Sequence, residues 1–164
     1  MIRLATWEDL NTIMEIYAIA RKYMAENGNP TQWADTYPDR EILRKDIESE
    51  QLFVCTKNDM VHGVFAFMIG PEATYSYLEN GSWKNDNIFG TIHRVASDGV
   101  GKGVFGQCVD FCKKRISNLR IDTHQNNHTM QHLIEKNGFE KCGIIYVKDG
   151  SPRIAYQYCK QQES

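Results

Sequence analysis

The chain has 164 residues, a formal net charge of −2, and 41% apolar against 24% charged residues, which excludes a disordered polymer and leaves one domain able to bury a core. The near-neutral charge excludes the basic footprint of a nucleic-acid binder or of a protein held on an anionic membrane. No apolar run approaches the roughly 20 residues of a membrane span, Arg3, Glu8 and Asp9 interrupt any signal-peptide core, and the five cysteines lack a Cys-x-x-Cys pair, so they read as buried thiols of a cytoplasmic protein.

In chain order, Ile2-Arg3-Leu4 predicts a short strand. Thr6, with Asp9 three residues on, predicts the start of a helix whose apolar face is Ile13, Ile16, Tyr17, Ala20 and Met24. Asn27-Gly28-Asn29-Pro30 ends it. Pro38 suits the first turn of a second helix carrying Ile42, Leu43 and Ile47. Leu52 to Thr56 and Val61 to Ile69 predict a hairpin across Lys57-Asn58-Asp59-Met60. A long polar and aromatic connection follows, from Gly70 to Asp86. A strand over Ile88 to Val95 then leads into a turn with glycines at 99, 101 and 103. Beyond it Val104, Phe105, Cys108, Val109, Cys112 and Ile116 recur at helical spacing. A strand from Asn118, a helix from Asn127 to Asn137, and two strands, Phe139–Val147 and Arg153–Cys159, complete the chain.

Strand, glycine turn and helix start together form an anion-binding geometry. The first turn of a helix has amides without intrahelical partners, the macrodipole favours negative charge there, and glycines let a ligand approach the backbone. Lys102 adds a cation. The spacing is not that of a nucleotide-hydrolase phosphate loop, because Gly103 rather than Ser or Thr follows Lys102. It also departs from the dinucleotide-binding fingerprint, whose third glycine would fall at 104.

With its strand ending at Val95, the segment Val100-Gly101-Lys102-Gly103-Val104-Phe105 resembles the acetyl-CoA loop of the GNAT superfamily of N-acetyltransferases, Arg/Gln-x-x-Gly-x-Gly/Ala. Val100 stands where that pattern has Arg or Gln, and Phe105 where it has a small residue. A register two residues earlier, from Asp98 to Gly103, restores the small residues but loses the strand-to-loop spacing. Asn127-His128-Thr129-Met130-Gln131-His132-Leu133-Ile134-Glu135-Lys136-Asn137-Gly138-Phe139 resembles the second signature of the same family, Asn-x-x-Ala-x-x-Leu-Tyr-x-Lys-x-Gly-Phe. Asn127 fits a helix N-cap and Gly138 a left-handed C-terminal cap. The element order is also similar to that of the family.

The resemblance implies a single GNAT-like domain over residues 1–164, of α/β class, with a mixed β-sheet and helices on both faces. It implies acetyl-CoA as co-substrate, held by Val95, Val100, Gly101, Lys102, Gly103, Val104, Phe105 and Asn127, and transfer of the acetyl group to a primary amine of a small molecule or peptide. In the family the backbone of the mid-sheet strand, here around Val95, serves as oxyanion donor, and the pantetheine lies where the Val95 and Ile121 strands splay. The family's frequent general-acid tyrosine falls on Ile134, which has no proton to donate, so Tyr146 and Tyr158 stand as substitutes. His93 is the first candidate base: an imidazole can accept a proton directly or through water, and His93 shares a face with Val95 if the strand is regular. His124, with Asp122 two residues before it, is the second, and water is a third. Trp33, Tyr37, Tyr75 and Tyr77 are candidate substrate residues, and with Trp83 they form an aromatic wall for a small amine or, equally, plugs that pin loops. Glu72 and Glu79 could hold a cationic substrate or be solvated. His124, His128 and His132 repeat every fourth residue, but His124 precedes the expected cap and no His-Glu-x-x-His occurs, so no metal is expected. No nucleic-acid or membrane partner is expected, and a homodimer is one assembly open to the chain. The rival reading is a non-catalytic CoA-binding module acting through partner contacts, which the departures at Val100, Phe105 and Ile134 favour.

Overall fold

The computed structural model describes residues 1–160. Among the described residues seven strands, β1 (Ile2–Leu4), β2 (Leu52–Lys57), β3 (Met60–Ile69), β4 (Gly90–Ser97), β5 (Asn118–Thr123), β6 (Glu140–Tyr146) and β7 (Pro152–Cys159), are hydrogen-bonded in the order β1-β2-β3-β4-β5-β7-β6, and four α-helices accompany them, so the class is α/β with a mixed sheet, as expected. The chain divides into two compact units. One comprises Met1–Phe67 with His93–Cys108; the other comprises Met68–Ile92 and the chain from Val109 on. No described helix is long and apolar enough to cross a membrane.

In the first unit, β1 (Ile2–Leu4) runs antiparallel to β2 (Leu52–Lys57), with Ile2 opposite Cys55. Thr6 does begin a helical segment, but its first turn is a 3-10 turn, Trp7–Asp9, and α1 follows over Leu10–Glu26. Asp9 makes that junction. Its carboxylate accepts the Thr6 amide at 2.8 Å and the two terminal guanidinium nitrogens of Arg3, Nη1 and Nη2, at 2.7 and 2.9 Å, and hydrogen bonding from Arg3 holds its pKa below the usual carboxylate value. Leu10, Ile13, Ile16 and Tyr17 are the buried face of α1. Asp39, not Pro38, caps α2 (Arg40–Glu48): its Oδ1 accepts the Ile42 amide at 2.9 Å. Pro38 therefore precedes the cap instead of occupying the first turn. The β2–β3 hairpin turns at Asn58 and Asp59, both left-handed, a conformation these two residue types tolerate well. β3 spans Met60–Ile69.

β4 spans Gly90–Ser97, two residues later than the periodicity predicts; Ile88 lies outside it and is exposed. α3 spans Val104–Lys113. Val104, Phe105, Cys108, Val109 and Cys112 are all buried, as the spacing predicts, whereas Ile116 falls beyond the helix end. Gly63 of β3 lets α3 begin close by, since a Cβ there would come within 2.5 Å of a Val104 methyl.

In the second unit, the start of β4 pairs in parallel with β5 (Asn118–Thr123) at Gly90–Leu119 and Thr91–Arg120. β7 (Pro152–Cys159) is antiparallel to both β5 and β6 (Glu140–Tyr146). α4 spans His128–Lys136. Its buried Ile134, with Leu119, Ile121, Phe139 and Tyr156, belongs to the unit's core. A further cluster, Tyr75, Ile145 and Ala155, is covered by Leu78, Trp83, Phe89 and Val147.

Candidate functional site

The first unit holds the glycine loop. Gly103 is the residue just before α3, and its carbonyl accepts the Gln107 amide at 3.0 Å, the first bond of the helix. Having no side chain, it cannot cap the amides of Val104, Phe105 and Gly106, which by helix geometry have no earlier carbonyl to reach. Gly103 sits at φ +74°, and a Cβ built on it would meet no protein atom within 4 Å. The glycine thus supplies a left-handed turn and, beside the helix start, the open space that a side chain would fill. Lys102 and Val100 are exposed, whereas the side chains of Val104 and Phe105 point into the core, so those two can contribute only backbone to a ligand.

The earlier part of the loop is already occupied. Asp98 accepts the Val100 amide at 2.9 Å and also hydrogen-bonds the Gly101 amide, and Ser97 Oγ accepts the Gly99 amide at 3.1 Å. The other Asp98 oxygen lies 2.7 Å from His62 Nδ1. Burial alone would raise the Asp98 pKa, but the bonds from His62 and the loop amides outweigh it and hold the carboxyl below its usual value.

Upstream on β4, Arg94 adopts φ +52°, a left-handed conformation inside a strand. The strand is therefore not regular at this point, and the simple alternation that would place His93 and Val95 on one face is interrupted. Four contacts pin Arg94. The Tyr17 hydroxyl donates to its carbonyl at 2.7 Å. Nε and Nη2 donate to the two Asp46 oxygens at 3.0 and 2.9 Å, and Nη1 donates to the Tyr37 hydroxyl at 3.2 Å. Tyr37 packs on Trp33 at 6.2 Å between ring centroids, and Trp33 on Tyr17 at 5.6 Å. His93 is within electrostatic reach of Asp46. The first unit thus gathers His93, Arg94, Trp33 and Tyr37 around one buried ion pair.

The second unit holds the remaining candidates. Asn127 caps α4, its Oδ1 accepting the Met130 amide at 3.0 Å. His124 follows β5; its Nδ1 accepts the Asn126 amide at 3.0 Å, which requires an unprotonated Nδ1. Burial, with Arg153 nearby, lowers its pKa below the usual imidazole value. Tyr146 is exposed and donates its hydroxyl proton to Glu79; that bond, more than any burial, raises its pKa. Tyr158 lies under Lys113, whose Nζ is 4.2 Å from the ring centroid. Tyr75 is 2% exposed and donates to Asp122 Oδ2 at 2.7 Å, a contact that fits the plug reading of this residue. Tyr77 is exposed. No group of three or more His, Cys, Asp or Glu placed to hold a metal ion occurs among the described residues.

No protein-family model and no curated protein matches the chain. A solved structure of an acetyltransferase of the GNAT family from Streptococcus agalactiae 2603 is 31% identical, covers 99% of this chain and 96% of its own, and superposes with a TM-score of 0.90. The chain belongs to the GNAT family of acetyltransferases. A Staphylococcus aureus Mu50 protein assigned to the acetyltransferases is 26% identical over 97% of this chain and 98% of its own, at a TM-score of 0.69. The yncA protein of Salmonella typhimurium, also assigned to the acetyltransferases and solved with its cofactor acetyl-CoA, shares the fold at 18% identity and a TM-score of 0.60, over 100% of this chain and 95% of its own.

Against the usual GNAT pattern, the second signature departs in a way that the burial of Ile134 makes concrete: an apolar side chain, fully buried, stands where the frequent tyrosine would be. Sequence reading does not reach Tyr17, Asp46, His62, Arg94 or Asp98 as parts of this GNAT chain's site. Asp98 had one local signal, an Asp two residues before an amide it can accept, ahead of a glycine. The others meet partners across long stretches of chain, for which sequence carries no local signal.

Proposed function

We propose that the protein transfers the acetyl group of acetyl-CoA to a primary amine of a small molecule or peptide. The observation that carries this reading is the start of α3: Gly103 has no side chain to cap the helix, is left-handed, has open space where a side chain would be, and is flanked by Lys102. Diphosphate oxygens fit such a place, because backbone N–H groups and the helix dipole favour negative charge. Bound there, acetyl-CoA supplies an acetyl thioester. The amides of Val104 to Gly106 and the Lys102 ammonium would hold its phosphates. Asn127 would contact the pantetheine arm in addition to capping α4. The backbone at Val95 would donate to the carbonyl oxygen as negative charge develops on it.

In the transfer, the acceptor nitrogen forms a bond to the carbonyl carbon as the carbon–sulfur bond breaks. Starting as the ammonium, the nitrogen loses two protons; one is taken up by the leaving sulfur and the other passes to solvent. An alkylammonium titrates near 10, so a base is useful at neutral pH. His93 is assigned that role, directly or through water, because it lies on β4 next to Arg94 and within electrostatic reach of Asp46. His124 ranks second, since one of its ring nitrogens is already used by Asn126. Tyr146 or water would return the proton to sulfur. Trp33, Tyr37 and Tyr77 are assigned to the acceptor. None of the five cysteines, all among the described residues, is in a disulfide, which suits a reducing cytoplasm.

A second reading, a CoA-binding module without turnover, is favoured by the buried Ile134 at the general-acid position. Thiol release from acetyl-CoA, measured against a panel of amines, polyamines, amino acids and peptides, separates the two. Turnover with any acceptor supports the enzyme; tight CoA binding with no turnover across the panel supports the module. With an acceptor found, His93→Ala should lower kcat more than acetyl-CoA affinity and flatten the acidic limb of the pH–rate profile. An unchanged limb transfers the role to His124 or water.

A further inference from the structure

We infer that His62 and Asp98 are a positioning pair that shapes the phosphate cradle and selects which of its amides face the cofactor. The inference rests on the reading that this loop holds the phosphates of acetyl-CoA. Asp98 closes a ring of contacts inside the loop: one carboxylate oxygen takes the Val100 amide at 2.9 Å, the Gly101 amide also bonds the carboxylate, and the other oxygen is 2.7 Å from His62 Nδ1. The Asp98 amide in turn donates to the His62 carbonyl at 3.0 Å, so strand β3 and the loop are tied by side chain and backbone at one residue. His62 also backs the loop directly, since a Cβ on Gly101 would lie 3.4 Å from His62 Cβ. Both side chains are only 15% exposed, so the pair is shielded from water.

The consequence is a division of the loop. The amides of Val100 and Gly101 are spent on a carboxylate that belongs to the protein, which leaves the later amides of the loop and helix start to external phosphate. A carboxylate beside a diphosphate is unfavourable by charge unless something holds it in place and offsets it; His62 does the first through Nδ1–H and the second when its other nitrogen is protonated. Without that hold, Asp98 can rotate, the Val100 and Gly101 amides lose their acceptor, and the glycine-rich loop regains the many backbone conformations glycine allows. The pair's contacts lie with the loop assigned to the phosphates, so its effect belongs in cofactor affinity.

The test uses calorimetric titration of CoA and steady-state kinetics on the intact chain, with His62→Leu, His62→Asn and Asp98→Ala. An asparagine amide nitrogen occupies nearly the place of imidazole Nδ1 and restores the donor. His62→Leu and Asp98→Ala are expected to weaken CoA binding tenfold or more and to raise KM for acetyl-CoA alike. They should leave kcat at saturating acetyl-CoA within about twofold, a split set by the pair's position away from the reacting atoms. His62→Asn should bind CoA within about threefold of the parent, since the lost bond is the one it remakes. Turnover of S-acetylpantetheine, which lacks the phosphates, should be unchanged in all three; a general loss of structure would lower it too. If the parent binds CoA and His62→Leu and Asp98→Ala bind it equally well, the pair has no such role. Failure of His62→Asn to rescue, with S-acetylpantetheine turnover falling in parallel, also overturns it. If the parent itself does not bind CoA, the cofactor reading fails first and the inference with it.

Discussion

Removing Asp46 tests the idea that the left-handed residue in β4 is held by a buried ion pair. The side chains of Arg94 and Asp46 are 13% and 10% exposed, so solvent screens them little. Asp46→Leu leaves a guanidinium with two of its donors facing apolar surface. Two charge-assisted bonds are lost, at about 1.5–3 kcal/mol each, which agrees with the roughly 3–5 kcal/mol seen when one partner of a buried pair is deleted. The Tyr37 hydroxyl keeps one donor occupied, which places the expected loss toward the lower end, near 3 kcal/mol. Arg94→Met should cost a similar amount, because it strands the Asp46 carboxylate. The double variant Asp46→Leu, Arg94→Met should lose only about 1–2 kcal/mol, since apolar replacement of a whole buried pair is often close to neutral. A left-handed non-glycine residue is itself unfavourable by about 1–2 kcal/mol, and that strain persists in the double variant. The assay is urea denaturation at pH 7 of the parent and three variants, followed by circular dichroism. Losses in the double variant equal to the sum of the single losses would refute the reasoning, as would a single-variant loss below about 1 kcal/mol.

Gly103→Val should destabilise the fold by about 1–2 kcal/mol through its positive φ alone, since no protein atom stands where the new Cβ would go. The same variant should bind CoA at least tenfold more weakly by calorimetry, and unchanged affinity in a folded variant would remove the cradle from this loop. Asn127→Ala should cost about 1 kcal/mol in thermal or urea stability from the lost α4 cap, and should also raise KM for acetyl-CoA; a stability effect with unchanged kinetics leaves Asn127 only its capping role. Acid should destabilise the protein through Asp9, held low by Arg3, and Asp98, held low by His62 and the loop amides against the opposing effect of burial. Because both pKa values lie below those of the unfolded chain, this stability is present above about pH 4 and is lost as pH falls through the folded-state values. Urea midpoints measured from pH 6 to pH 3 should drop, and less steeply in Asp9→Asn; equal slopes would contradict the Asp9 assignment.

Local chemistry made much of this GNAT protein legible before its structure. Helical spacing marks the buried stripe of α3, because burial repeats with the helix period. Asn127 reads as a cap because its side chain reaches an amide three residues on. The glycine at 103 reads as a special backbone position because few other residues adopt its φ. Boundaries were less secure: β4 begins at Gly90 rather than Ile88, and the cap of α2 is Asp39, since neighbouring residues compete for these places within a single turn. What only the tertiary structure decided are contacts between residues far apart along the chain. Tyr17 and Arg94 are 77 positions apart, Asp46 and Arg94 48, and His62 and Asp98 36. No period or turn rule brings such pairs together. They follow from how the strands and helices pack, and it is packing that permits a left-handed arginine inside β4, buries Tyr75 against Asp122, and commits the amides of Val100 and Gly101 to a carboxylate of the protein itself.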